Sequence, residues 1–393
     1  MPAASTPWAN MATMGPLADL KIVEMFCIGP GPFAGMLLSD MGADVIRVDR
    51  PVEQEYGYPD HKYRTLWRNR RAVAIDLNTA DGVEAMLRLM DQADGFIEGN
   101  RPGVCEKLGI GPDIALERNP ALVYGRMTGF GQDGPLANQA GFDLSYISLT
   151  GVAGAVGPPE QPVPPLILAG DFGGGGTFLA LGMLAAIMEA RRTGLGQVVD
   201  AAMVDGSASL MAYMYGNLAA GQWHDKRQAN TVDGGQWLYG MYRCADGRFV
   251  SVACLSPKVY ASLSAALDLD PEVFSYPGRR SEWPALRQAM GEIFATRTRD
   301  EWVAHFADYD AGVQPVLGME EAPQHPHLVE RGTFVTHDGV IQPAPAPRFS
   351  RTPGEVRSAP PENGADTDAV LSDWGFTDAE VADLRSSGAV GPR

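Results

Sequence analysis

The chain has 393 residues, 45% hydrophobic and 20% charged, enough apolar material for a large core and two domains, which excludes a disordered or collagen-like polypeptide. Lys and Arg number 31 against 48 Asp and Glu, and the formal net charge of −17 repels nucleic acid and anionic membrane surfaces, so neither is expected as a partner. An anionic small ligand stays open, because a few arginines in one cleft set a local field against the global sign.

Residues 1–17 lack the basic and apolar blocks of a signal peptide and read as a flexible N-terminal tail. The most apolar window, Phe178–Met188, falls short of the roughly 20 residues that cross a bilayer. Cys27, Cys105, Cys244 and Cys254 show no paired spacing and read as buried thiols of a reducing compartment, which implies a cytoplasmic protein.

From Leu20 an apolar run, the turn GPGPFAG (29–35), a stretch of helical period and the run DVIRVD form a β-α-β unit. The rhythm returns as AVAIDL (72–77), a helix over 79–92, a strand within 93–100 and another within 121–131. Alternation of this kind predicts a parallel sheet covered by helices. Residues 176–220 read as two long apolar helices separated by TGLGQ (193–197). From Gly234 the runs YGMYRC and GRFVSVAC flank an Asp-Gly turn, a hairpin signal, and helical stretches follow near 258–268 and 284–308. The resulting division is a large domain over 18–225, a small α+β domain over 226–330 and a C-terminal segment, 331–393, that returns to the large domain; its last helix starts at a Thr377 cap.

Four features carry candidate chemistry. The 29–35 turn suits either a phosphate at a helix N-terminus or a rigid turn for helix packing, since its prolines remove donors. Arg47, Arg50, Arg70, Arg71 and Arg101 gather at strand-end positions and together suit a polyphosphate, although each alone is an ordinary surface charge. AGDFGGGGTF (169–178) sets one carboxylate, Asp171, before four glycines at the start of an apolar helix; the alternative for Asp171 is a helix cap. In QAGFDLSYISLTG (139–151) the polar candidates are Asp143 and Tyr146, the latter equally readable as a core tyrosine. The six histidines have no metal-ligand spacing and no serine sits in a G-x-S-x-G elbow, so no metal and no serine-hydrolase chemistry is assigned.

The ordered motifs GPGPFAGMLLSDMGADVIRVDRP, EGNRPGVCEKLGIGPD, RMTGFGQDGPLANQAGFDLSYISLTG, AGDFGGGG and GQVVDAAMVDGS resemble the family III CoA-transferases (CaiB/BaiF), most closely their α-methylacyl-CoA racemase branch. The resemblance covers nearly the whole chain. It implies a Rossmann-like large domain, a smaller α+β domain and an interlocked homodimer. CoA would enter as part of an acyl-CoA substrate, with no prosthetic group. Arg50, Arg71, Arg101, Met127 and Gly129 would stand in the CoA-binding set. Asp171 matches the family's catalytic aspartate, and the Asp143 backbone N–H its oxyanion donor. Phe142 stands where the racemase pattern has its histidine base, and Ser256 where it has the supporting glutamate, so two-base racemisation cannot run unchanged.

Three activities follow from the resemblance: enolate chemistry on a 2-methyl-branched acyl-CoA with Asp171 as one base; CoA transfer with Asp171 as nucleophile; and acyl-CoA binding without turnover. Phe142 makes the pocket more apolar and predicts a preference for bulky acyl chains.

Overall fold

The computed structural model describes residues 15–52 and 59–392. In chain order the first elements are β1 (Lys21–Met25), α1 (Pro30–Asp40), β2 (Asp44–Asp49), β3 (Arg71–Ala74), α2 (Ala80–Met90), β4 (Gly95–Glu98), α3 (Val104–Lys107), α4 (Pro112–Arg118), β5 (Val123–Thr128) and α5 (Asp143–Ile147). After α6 (Val152–Ala155), wide helical turns over Leu168–Thr177 lead directly into α7 (Phe178–Thr193). Then come β6 (Val198–Ala202), α8 (Met203–Leu210) and α9 (Ala212–Ala219).

The six strands pair in parallel in the order β3-β2-β1-β4-β5-β6, the doubly wound arrangement of dinucleotide-binding sheets. One core lies between the sheet, α2 and the chain's end, with Met86, Phe96, Tyr124 and Trp374 buried together. On the other face Leu38, Leu179, Met183 and Ile187 pack α1 and α7 against Ile22, Ile97 and Val123. Strand order reverses between β1 and β4. The loops leaving their C-terminal ends diverge there and open a crevice, the usual ligand position in open sheets of this type.

The chain divides into two compact units, residues 1–150, 166–210 and 327–393 in one and 151–165 and 211–326 in the other. The small unit thus starts at 211 rather than 226 and also takes the segment 151–165, because α9 and α6 lie with it rather than with the sheet. Its core forms around the antiparallel sheet of β7 (Tyr239–Arg243), β8 (Phe249–Ala253) and β9 (Val313–Pro315), backed by α10 (Pro257–Leu267), α11 (Trp283–Phe294) and α12 (Arg299–His305). The helical text over 284–308 is two helices, since Thr298 caps a new one through Glu301 N–H.

From α13 (Pro326–Arg331) the chain is back in the large unit with the hairpin β10 (Phe334–His337) and β11 (Val340–Pro343), then α14 (Thr367–Asp373) and α15 (Asp378–Ser386). Thr377 caps α15 as its sequence indicates.

Three expectations need correction. Of the tail over 1–17, residues 1–14 lie outside the described residues, and Leu17 is tied down by donating its N–H to Met41 at 3.0 Å. The second of the two apolar helices in 176–220 is instead a strand, β6, followed at once by helices, and no turn residue between them announces the change. The helix counted as too short to span a bilayer runs continuously from Leu168 to Thr193, 26 residues, so length does not argue against a span. Packing does, since Leu179, Met183, Ala186 and Ile187 face the sheet.

Candidate active site

The crevice holds two cavities that share Asn100. The larger, about 520 Å³, follows β2 and β1 and is bordered by Asp49, Arg50, Asp76 and Asn78. The smaller, about 280 Å³, holds Asp171 beside Gly29, Arg101, Met127, Gly129, Phe142 and Tyr146.

Asp171 is presented by the wide turns that precede α7. Glycines make that turn possible by close backbone packing. A Cβ at Gly175 would meet Pro30 and Met203 at 2.9 Å, and one at Gly176 would lie 2.6 Å from the Pro30 carbonyl. The run after Asp171 therefore lets α1 and α8 approach, rather than opening a cradle for a ligand. Asp171 is also not the cap of its own helix. Its N–H donates instead to the carboxylate of Asp143 at 2.7 Å.

The Asp171 carboxyl rests on the α-carbon of Gly29, where a side chain would come within 2.5 Å of Oδ2. Gly29 has φ +69°, so the turn needs glycine twice, for its dihedral and for this contact. Burial and the nearby Asp143 charge push Asp171 up to about 6. Tyr146 donates its hydroxyl to the Gly141 carbonyl, and its ring fills the space above Gly129, where a Cβ would lie 2.0 Å from it. Burial, then Asp171, raise the tyrosine hydroxyl, while Arg101 opposes them. The backbone N–H of Asp143, first residue of α5, has no acceptor among the described residues.

The match to the model of CoA-transferase family III runs over residues 17–367. The chain belongs to this family. It is 40% identical to the mouse alpha-methylacyl-CoA racemase over 94% of this chain and 96% of that one. The human alpha-methylacyl-CoA racemase is 37% identical at the same coverages. The succinyl-CoA–D-citramalate CoA-transferase of Chloroflexus aurantiacus is 29% identical over 94% of this chain and 97% of its own. The crystal structure of a CAIB/BAIF family protein from Brucella suis superposes with a TM-score of 0.78 at 25% identity, covering 92% of this chain and all of that one.

Within this family III fold the arginine set separates. Arg50 and Arg101 border the two cavities. Arg71 opens β3 at the opposite, N-terminal edge of the sheet, bound to Asp44 at 2.7 Å and Asp373 at 2.6 Å, so its place in the CoA-binding set is not supported. Arg70 is fully buried against Glu24 at 3.0 Å, and Arg47 against Asp49 at 2.7 Å. In a parallel sheet only residues at the C-terminal ends of strands reach the crevice, and residue 71 starts its strand.

Phe142 lines the Asp171 cavity with its ring 74% exposed. Ser256 is the N-cap of α10 in the small unit, its hydroxyl accepting from Val259 N–H. Sequence reasoning offered Asp143 as a polar candidate but not the bond of its carboxylate to Asp171 N–H, and it passed over Asn100 and the Gly29 contact, which only the Gly-Pro-Gly text of the 29–31 turn signals.

Proposed function

We propose that this acyl-CoA enzyme carries out α-proton exchange on a 2-methyl-branched acyl-CoA, with Asp171 as base. What supports the reading most is a carboxyl on Asp171 raised to about 6 beside Asp143, whose own backbone N–H is unused and whose carboxylate accepts the Asp171 N–H. Arg50 and the 520 Å³ cavity suit the adenosine and phosphate end of CoA, and Arg101 the approach to Asp171. Asn100, common to both cavities, marks the path for the pantetheine arm.

In the reaction the thioester oxygen takes the Asp143 N–H, and ionised Asp171 removes the C2 proton. The donor contributes about 3–4 kcal/mol as charge moves onto oxygen. The enolate regains a proton from Asp171 on the same face or from water on the other, because the Phe142 ring exchanges none. Asp171 acts as base only when ionised, so the rate falls as pH drops through about 6. A homodimer belongs to the same proposal: Leu181 and Met188 on α7 are 63% and 74% exposed, apolar area that suits a second subunit.

The test is loss of the α-proton of a 2-methylacyl-CoA in D₂O, followed by NMR. Asp171→Asn is expected to slow it by about 10²- to 10⁴-fold. No exchange by the native enzyme would overturn the reading and favour CoA transfer, in which Asp171 attacks the thioester carbonyl and CoA thiolate leaves, the thiolate then attacks the aspartyl carbonyl of the resulting anhydride and expels the donor carboxylate, and the aspartyl-CoA thioester so formed passes CoA to an acceptor carboxylate by the reverse steps. The similarity to the Chloroflexus aurantiacus transferase supports that second reading, and a CoA adduct trapped on Asp171 would be its mark.

A further inference from the structure

We propose that the carboxylate of Asp143 is the positioning residue for Asp171, fixing the turn that presents it and setting a second negative charge beside it. This rests on the reading of Asp171 as the base. Asp171 N–H belongs to the first turn of a helix, where no carbonyl of the preceding turn is available; the next amide, Phe172, already reaches back five residues to Ile167 at 3.2 Å. The acceptor comes from another helix. Asp143 Oδ1 takes the N–H at 2.7 Å, a charge-assisted bond at a helix start.

The fit is shaped by two glycines. A Cβ on Gly170 would lie 2.3 Å from Asp143 Oδ1, so only glycine before Asp171 admits the carboxylate, and Gly29 holds the Asp171 carboxyl from the other side. Asp143 is 5% exposed, which keeps solvent from replacing it. The groups facing Asp171 are then Asp143 and Tyr146 from α5 and Arg101 from the loop after β4. Asp143 is the anion among them, and it raises the Asp171 carboxyl together with burial. One residue would thus join both halves of the site, with its backbone N–H left for the thioester oxygen and its side chain on the base.

Asp143→Asn keeps an oxygen acceptor and removes the charge; Asp143→Ala removes both. Carbon-13 NMR of labelled aspartate carboxyls reads Asp171 directly, its signal assigned by its loss in Asp171→Asn. The expected result is a titration midpoint near 6 in the native enzyme, lower by about half a unit to one unit in Asp143→Asn, with the acid limb of kcat/KM moving by the same amount. In Asp143→Ala kcat falls on the order of 10- to 100-fold below Asp143→Asn at pH 8, with KM little changed. Circular dichroism confirms that both variants are folded. A native midpoint in Asp143→Asn, or a native kcat in Asp143→Ala, overturns the proposal. Full α-proton exchange in Asp171→Asn would instead sink the base reading, whatever the midpoint does.

Discussion

In the proposed reaction Phe142 is the residue that decides whether a second proton donor stands beside Asp171. It borders the Asp171 cavity and leaves its ring in solvent, an arrangement that supplies apolar surface and no proton. Phe142→His would place a group titrating near neutrality at the lip of the same cavity. With Asp171 returning its own proton, the native enzyme is expected to exchange the α-proton faster than it inverts the centre. The variant is expected to raise the ratio of inversion to exchange about tenfold or more, measured by chiral analysis beside deuterium incorporation. An unchanged ratio would show that the second proton does not pass residue 142. Gly29 is equally exacting, since its bare α-carbon and positive φ together seat the Asp171 carboxyl.

Among the elements, α1 and the chain just before β3 are held by two buried arginines, of which the sequence offered Arg70 as a ligand for phosphate. Arg70 pairs with Glu24 of β1 and donates to the carbonyls of Leu66 and Pro32, the latter in the first turn of α1, next to the Gly29 turn. Arg68 pairs with Asp40 at the end of α1 at 2.5 Å and donates to Gln342 and Pro343 of β11, tying the C-terminal segment to the sheet domain. Breaking a fully buried pair leaves its partner charged without compensation. Arg70→Met is therefore expected to cost about 3–5 kcal/mol in denaturant unfolding. Arg70→Met with Glu24→Gln should recover much of that loss. A single variant as stable as the native protein would show that the pair is not what secures α1.

At the scale of the whole molecule, apolar side chains remain on the outside. Leu181 and Met188 point away from the sheet on α7, and Leu144 and Leu149 are exposed in and just after α5. Exposed apolar area of this kind, in a chain carrying 48 acidic residues, suits the dimer of the proposed function. Sedimentation velocity at micromolar concentration is expected to show a dimer, and Leu181→Glu with Met188→Glu to shift it toward monomer. A native monomer would remove the dimer from the proposed function and leave the Asp171 site as described.

Local patterns in the sequence determined the β-α alternation of a parallel sheet, the hairpin at Asp246-Gly247 and the Thr377 cap, because each depends on residues close together in the chain, whereas the Rossmann-like arrangement and most of the weight on Asp171 came from the family resemblance. β6 escaped those patterns because VVDAA passes into a helix without a turn residue. Arg71 could be separated from Arg50 only in three dimensions, since strand direction decides which edge of the sheet a side chain reaches. Tertiary structure likewise decided what the glycines do: Gly29 and Gly170 matter through contacts with Asp171 and Asp143, residues 142 positions and 27 positions away. The acidity of Asp171 was decided there too, because it follows from burial and from a carboxylate 28 residues distant in the chain, and local sequence carries neither.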